Sequence, residues 1–184
     1  MNKIFILFTL VNLFSCASPN QICQQNWQIT GFYTPLEYDF KRHNMHQIWL
    51  NKKSYDYPLE FVKEVQMEGW GKTNAGWYIG YYANKWHKSH QPLNAKGLPL
   101  ELGNIAVDNS FIVRNSQVYI ATLKPHMGID TFSAVDVGSA IKRDHIDIYT
   151  GEGKQAKLKT YQVTGRHNIC INSHLPAPVE NLSI

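Results

Sequence analysis

The residues best able to do chemistry in this sequence are acids set within short apolar runs. From Ala134 to Tyr149 the chain reads AVDVGSAIKRDHIDIY, which places Asp136 and Asp147 eleven positions apart with a glycine turn between them. A third acid, Asp108, closes the run Gly103-Asn104-Ile105-Ala106-Val107. A carboxyl held on a strand and withdrawn from water binds its proton more tightly than a free one. Such a group can give its proton to a leaving group and then accept one as a base. A single Asp at a strand end is ordinarily a turn or cap residue. Spacing and flanking pattern together single out Asp147, with Asp136 beside it to raise its proton affinity or hold it by a hydrogen bond. Asp108 stands evenly between a substrate contact and a role in bonding the loops.

Positioning these acids requires strands. Gln24 to Tyr33 carries Trp27, Ile29, Phe32 and Tyr33 and reads as a first strand, stopped at Pro35. Residues 36–58 mix aromatic and polar side chains without a clear period and read as a peripheral excursion. A short helix or strand follows from Pro58 to Met67. Gly69-Trp70-Gly71 and Asn74-Ala75-Gly76 punctuate a hairpin whose second arm holds Trp77, Tyr78, Ile79, Tyr81 and Tyr82. Beyond Leu98 the pattern predicts strands at Asn104–Val107, Gln117–Thr122, Phe132–Val135, Ile146–Tyr149 and Tyr161–Thr164. Helix is expected only after Pro58 and over Gly138–Lys142. A mainly β chain with so many short strands hides their edges most simply by closing into a barrel.

The 184 residues, 43% hydrophobic and 17% charged, suffice for one domain with a sizeable core. The net charge of +4 comes from basic residues scattered singly, a solvated surface rather than a nucleic-acid stripe. Met1-Asn2-Lys3, the apolar run Ile4 to Phe14 and the small residues Ser15 to Ser18 have the plan of an export signal over 1–15. Two exits fit: cleavage before Cys16, which would then carry lipid, or cleavage after Ala17. The first leaves Cys23 and Cys170 as an even pair in an oxidising compartment, where a disulfide is expected; the alternative is two buried thiols. The expected location is the periplasm or the outer membrane, through a lipid at Cys16, or the exterior. Cys16 is the only expected link to a membrane.

The segment around Asp136 and Asp147 resembles the 3D domain, named for its three aspartates and found in membrane-bound lytic transglycosylases and stationary-phase-survival muralytic proteins. Thr30-Gly31-Phe32-Tyr33-Thr34-Pro35 and Val65-Gln66-Met67-Glu68-Gly69-Trp70-Gly71-Lys72 extend the resemblance towards the N-terminus. The sequence departs from it in places: Asn109-Ser110 follows Asp108 where the family usually has Pro, Val113-Arg114-Asn115-Ser116 stands in place of a Pro-x-Gly, Arg143 stands where Gly is common, and Ser139 replaces the second Gly of Gly-Gly. The resemblance implies a six-stranded double-psi β-barrel with short helices over 24–170, the excursion 36–58 and a tail 171–184. It implies cleavage of the β-1,4 bond between N-acetylmuramic acid and N-acetylglucosamine in peptidoglycan, leaving a 1,6-anhydromuramoyl end. Asp147 would be the single acid/base, Asp136 its neighbour, and Thr34, Gln66, Gly69, Gly71, Asp108 and Ser139 substrate contacts. No cofactor is expected. His43-x-x-His46 and His87-x-x-His90 lack further ligands at a metal spacing, so no metal is expected either. Tyr33, Trp70, Trp77, Tyr81 and Trp86 are candidates for stacking on sugars, and Lys72 for a polar contact. Two other readings stay open: an expansin-like barrel that binds glycan without cutting, and a hydrolase using Asp136 and Asp147 as a pair.

Overall fold

The computed structural model describes residues 21–172. The expected signal at 1–15 and Cys16 lie outside these residues. The strands are β1 (Gln21–Thr34), β2 (Met45–Leu50), β3 (Lys53–Pro58), β4 (Trp70–Lys72), β5 (Tyr78–Tyr82), β6 (Lys85–Ser89), β7 (Asn104–Val107), β8 (Gln117–Tyr119), β9 (Thr131–Asp136), β10 (His145–Glu152) and β11 (Gly165–Asn172). The helices are α1 (Leu59–Glu68), the single turn α2 (Lys124–Met127) and α3 (Gly153–Val163).

Six strands close into a barrel in the order β1-β10-β7-β9-β8-β11, the six-stranded closed barrel that the resemblance implied. β1 runs parallel to β10 and β7 parallel to β9, and the remaining neighbours are antiparallel. Because side chains alternate along a strand, one face of each fills the interior. Ile29, Ile105, Val118, Phe132, Ala134, Ile146, Ile148 and Ile169 do so and are fully buried. Asp147, between Ile146 and Ile148, therefore lies on the other face of β10.

A second apolar cluster lies beside the barrel. The β2–β3 hairpin, α1 and the sheet β4-β5-β6 bury Ile48, Leu50, Tyr57, Phe61, Val62, Val65 and Ile79 together. The hairpin lies within the segment read from sequence as the excursion, and none of its strands joins the barrel.

Three local expectations are corrected. Tyr161–Thr164 is not a strand: Tyr161 to Val163 close α3, and Thr164 is its cap. Ala156, Thr160 and Val163 recur at helical spacing and bury one stripe of α3, which packs on β1 and β10. Gly138–Lys142 forms a turn rather than a helix, with the Ile141 N–H donating to the Gly138 carbonyl at 3.1 Å. The strand expected at Gln117–Thr122 stops at Tyr119, and a 3-10 turn begins at Ala121. The structure also adds β6, joined to β5 by Ala83 and Asn84 at φ 50° and 57°, a two-residue turn of primed type. Ala in that turn concealed it in the sequence.

Cys23 and Cys170 form the expected disulfide, pairing opposite residues of β1 and β11 with their Cα atoms 4.0 Å apart.

Candidate active site

Strand register brings the acids together. Asp147 on β10 lies opposite Thr30 of β1 on one side and Ala106 of β7 on the other, and Ala106 lies opposite Asp136 of β9. Simple alternation would put Asp136 on the buried face with Phe132 and Ala134. A register shift between β7 and β9, pairing Ile105 with Ala134 but Ala106 with Asp136, leaves Val135 unmatched and turns Asp136 to the face of Asp147. The row Thr30-Asp147-Ala106-Asp136 thus crosses four strands. Ala106 is the small residue between the two acids.

Asp147, Ala106 and Asp136 of this row form one side of a groove of about 630 Å³. The remainder is built by Gln66, Glu68, Gly69 and Trp70 around the end of α1, by Tyr81 and Tyr82 of β5, by Leu93 to Leu100 of a loop, and by Ser139 and Ile141. The groove is open, with polar and aromatic groups interleaved.

Each acid has its own environment. Burial pushes the Asp147 carboxyl above the usual range, and the charge of Asp136 acts in the same direction; the Thr30 hydroxyl and His145 oppose it. Thr30 Oγ1 donates to Asp147 Oδ1 at 2.6 Å and lies 2.9 Å from His145 Nε2, so it fixes one carboxyl oxygen. Asp136 is also raised by burial, but its Oδ1 accepts the N–H groups of Ala95 at 2.8 Å and Val137 at 2.9 Å. Those bonds favour its anion and tie the 93–100 loop to β9. Glu68, which sequence reading passed over as a site residue, is pushed up to about 7, chiefly by burial.

These raised proton affinities make a prediction about stability. Where the folded form binds a proton more tightly than the unfolded chain, stability is greatest with the group protonated and falls as pH rises. For Glu68 the fall runs from its ordinary value of 4.5 to about 7, and Asp136 and Asp147 begin theirs near 3.8. The melting temperature should therefore decline between pH 5 and pH 7. Thermal melts that rose steadily over this interval would contradict the assignment.

The substrate contacts expected from sequence divide into two sets. Gln66, Gly69 and Ser139 line the groove with Asp136 and Asp147. Thr34 does not: it is 1% exposed and its hydroxyl is bonded to the Tyr149 hydroxyl at 2.9 Å. Gly71 is buried against α1, where an added Cβ would collide with Val65 and come within 2.8 Å of Phe61 Cε2. Its role is close packing. Gly71→Ala should destabilise the protein by about 1–3 kcal/mol through overpacking, measured by chemical denaturation; an unchanged midpoint would count against this packing role. Asp108 is an exposed loop anchor outside the groove, accepting the Ser110 and Arg143 N–H groups at 2.9 Å each. Arg143 adopts a left-handed φ of 56°, and the Asp108 carboxylate pins that turn.

Among the aromatics, Trp70 and Tyr81 line the groove, whereas Tyr33 is core and Trp77 and Trp86 pack at the second cluster. Lys72 points away, to Glu152. Tyr82 and Phe32 join the groove without having been expected there. His87 stacks on Tyr82 at 3.6 Å between ring centroids. Sequence spacing held no signal for Glu68 or for the 93–100 loop, since both reach the groove only through packing of α1 and folding of the loop.

Residues 103–169 match the 3D domain family. The matched segment is similar to that family over these residues alone. It runs from just before β7 into β11 and holds Asp108, Asp136 and Asp147. No curated protein matches the chain. Among solved structures, the fold is similar to MltA from E. coli with bound chitohexaose (TM-score 0.61, 16% identity), covering 80% of this chain and 71% of that one. It is also similar to a membrane-bound lytic murein transglycosylase from Agrobacterium tumefaciens (TM-score 0.56, 13% identity; 79% and 73% covered). A third likeness is to MltA from Neisseria gonorrhoeae (TM-score 0.52, 13% identity; 82% and 72% covered). At these identities the likeness is one of fold, and it extends beyond the 3D domain to most of the chain.

Proposed function

We propose that the protein is a peptidoglycan lytic transglycosylase in which Asp147 is the single acid and base. The observation that carries this reading is Asp147 itself: a mostly buried carboxyl in an open groove, oriented through one oxygen by Thr30, with its proton affinity raised by burial. Structures of similar fold are lytic transglycosylases, one of them with chitohexaose bound.

The chemistry needs no water and no cofactor. Protonated Asp147 gives its proton to the oxygen linking C1 of N-acetylmuramic acid to N-acetylglucosamine, and that C1–O bond breaks. The resulting carboxylate takes the proton of the muramic C6 hydroxyl, whose oxygen bonds to C1 and closes the 1,6-anhydro ring. Asp147 ends protonated, as it began. The nucleophile belongs to the substrate, so the protein has to hold the sugar and supply one proton. Gln66, Ser139 and the Gly69 backbone are suited to polar groups of the glycan, and Trp70, Tyr81 and Tyr82 to its rings.

Asp136 supports Asp147 rather than reacting. Both backbone donors fall on its Oδ1 and stabilise a fixed anion, an arrangement better suited to positioning than to nucleophilic attack. The disulfide belongs with an oxidising compartment, in keeping with the export plan of the N-terminal sequence. Digestion of purified sacculi, with soluble products read by mass, tests the proposal. Anhydromuropeptides are expected; reducing ends would mean hydrolysis, and binding without release would mean a non-catalytic barrel.

A further inference from the structure

The Thr30 hydroxyl that orients Asp147 is itself held by a second side chain, His145. Side chains two positions apart share a face of a strand, so His145 and Asp147 stand together on β10. On the parallel neighbour β1, Gln28 lies opposite His145 and Thr30 opposite Asp147, which brings the Thr30 hydroxyl within reach of both. Its Oγ1 bonds Asp147 Oδ1 at 2.6 Å and His145 Nε2 at 2.9 Å. Asp147 lines the groove, whereas Thr30 and His145 are not among its lining residues. The oxygen turned to Thr30 is therefore the inner one, and Oδ2 is left to the groove.

A threonine hydroxyl carries one hydrogen, so the chain His145-Thr30-Asp147 can run in only two directions. In the first, His145 Nε2 carries a hydrogen and donates it to Oγ1, and Thr30 donates its own to Oδ1. The acidic hydrogen of Asp147 then resides on Oδ2, open to the glycan. In the second, Nε2 is bare and accepts from Thr30, and Asp147 donates its hydrogen from Oδ1 to Oγ1. Oδ2 then faces substrate with nothing to give.

We propose that His145 is a positioning residue that holds the chain in the first direction: its Nε2–H keeps the Thr30 hydrogen on Oδ1 and confines the catalytic proton of Asp147 to Oδ2. This rests on Asp147 being the acid and base. Both the neutral ring with its hydrogen on Nε2 and the imidazolium supply the donor, so the requirement is a hydrogen on that nitrogen rather than a charge. One atom then serves both steps. Oδ2 gives its proton to the glycosidic oxygen and takes the next from the C6 hydroxyl, while Oδ1 keeps the Thr30 hydrogen throughout and so steadies the intervening carboxylate.

Nitrogen NMR of the histidine rings tests the direction in the wild-type protein, with the His145 signals assigned by their loss in His145→Gln. Nε2 of His145 should be protonated across the pH range of muropeptide release; a neutral ring carrying its hydrogen on Nδ1 would overturn the proposal. His145→Phe, checked for folding by circular dichroism, loses the donor but keeps a ring. Its kcat on soluble glycan strands should fall on the order of 10²-fold with KM held within about two-fold, since a misplaced proton costs turnover and not binding. His145→Gln, whose amide can place an N–H near the same point, should recover most of that loss. Undiminished turnover in His145→Phe would overturn the proposal, as would a fall carried by KM, or equal losses in both variants. Absence of anhydromuropeptides from wild type would instead sink the lytic reading, while the nitrogen spectra would still decide which way the chain runs.

Discussion

Asp147→Asn should abolish release of soluble muropeptides from sacculi while leaving fold and glycan binding in place. Asn keeps the size of Asp and can still accept the Thr30 hydroxyl, which bonds Asp147 Oδ1 at 2.6 Å. It cannot give a proton to a leaving oxygen or take one from a hydroxyl. General acid or base catalysis is worth roughly 10²–10⁴-fold, and one group here performs both, so the loss should lie at the upper end. The change also replaces a buried carboxyl by a neutral amide, so thermal stability should hold or rise at neutral pH. Asp136→Asn should be milder, shifting the pH profile because it removes a charge that raises the Asp147 carboxyl. A folded Asp147→Asn protein that released muropeptides at the wild-type rate would end the assignment. Equal, heavy losses in both variants would point to a two-carboxylate hydrolase.

The second large effect concerns stability. Cys23 and Cys170 are 147 residues apart in sequence, so their bond closes nearly the whole described chain into one loop. In the chain-entropy account, a cross-link of this length removes about 5 kcal/mol of freedom from the unfolded state. Replacing both by Ser should therefore destabilise the protein by roughly 2–5 kcal/mol. At about 2–4 °C per kcal/mol for a domain of this size, the melting temperature should fall by ~5–20 °C. The comparison is oxidised wild type against the double variant, by calorimetry. Equal melting temperatures would show that the strand pairing of β1 with β11 holds the seam without the bond.

How far the sequence carried the site depended on where its geometry is encoded. Asp147 was legible because it alternates with Ile146 and Ile148 on one strand, and the period of a strand is a local property. Asp136 was found by spacing, but its position beside Asp147 depends on a register shift at Val135, a relation between two strands that no single stretch records. Gly71 and Thr34 sit in the right segments yet face inward, because α1, packed back on β4, claims the first and the Tyr149 hydroxyl, distant in sequence, claims the second. Glu68 was passed over for the converse reason: a Glu at a helix end looks like a solvated surface residue until packing turns it inward. The C-terminal helix was missed because its exposed positions, among them Leu158 at 53% and Tyr161 at 67%, blur the stripe of Ala156, Thr160 and Val163. The strands carrying Asp136 and Asp147 were local information, whereas register, bulges and the second wall of the groove were not.

The order of strands around the barrel also governs how the molecule can assemble in time. β1 has only β10 and β11 as barrel neighbours, so the first strand of the chain waits for the last two. Nothing emerging early can satisfy its edges, and the nucleus must bring together segments more than a hundred residues apart, which makes folding slow. A nascent chain of this design remains open and threadable until residues near 170 have been made. Docking of β1 between β10 and β11, followed by oxidation of Cys23 and Cys170, is what finally closes the seam.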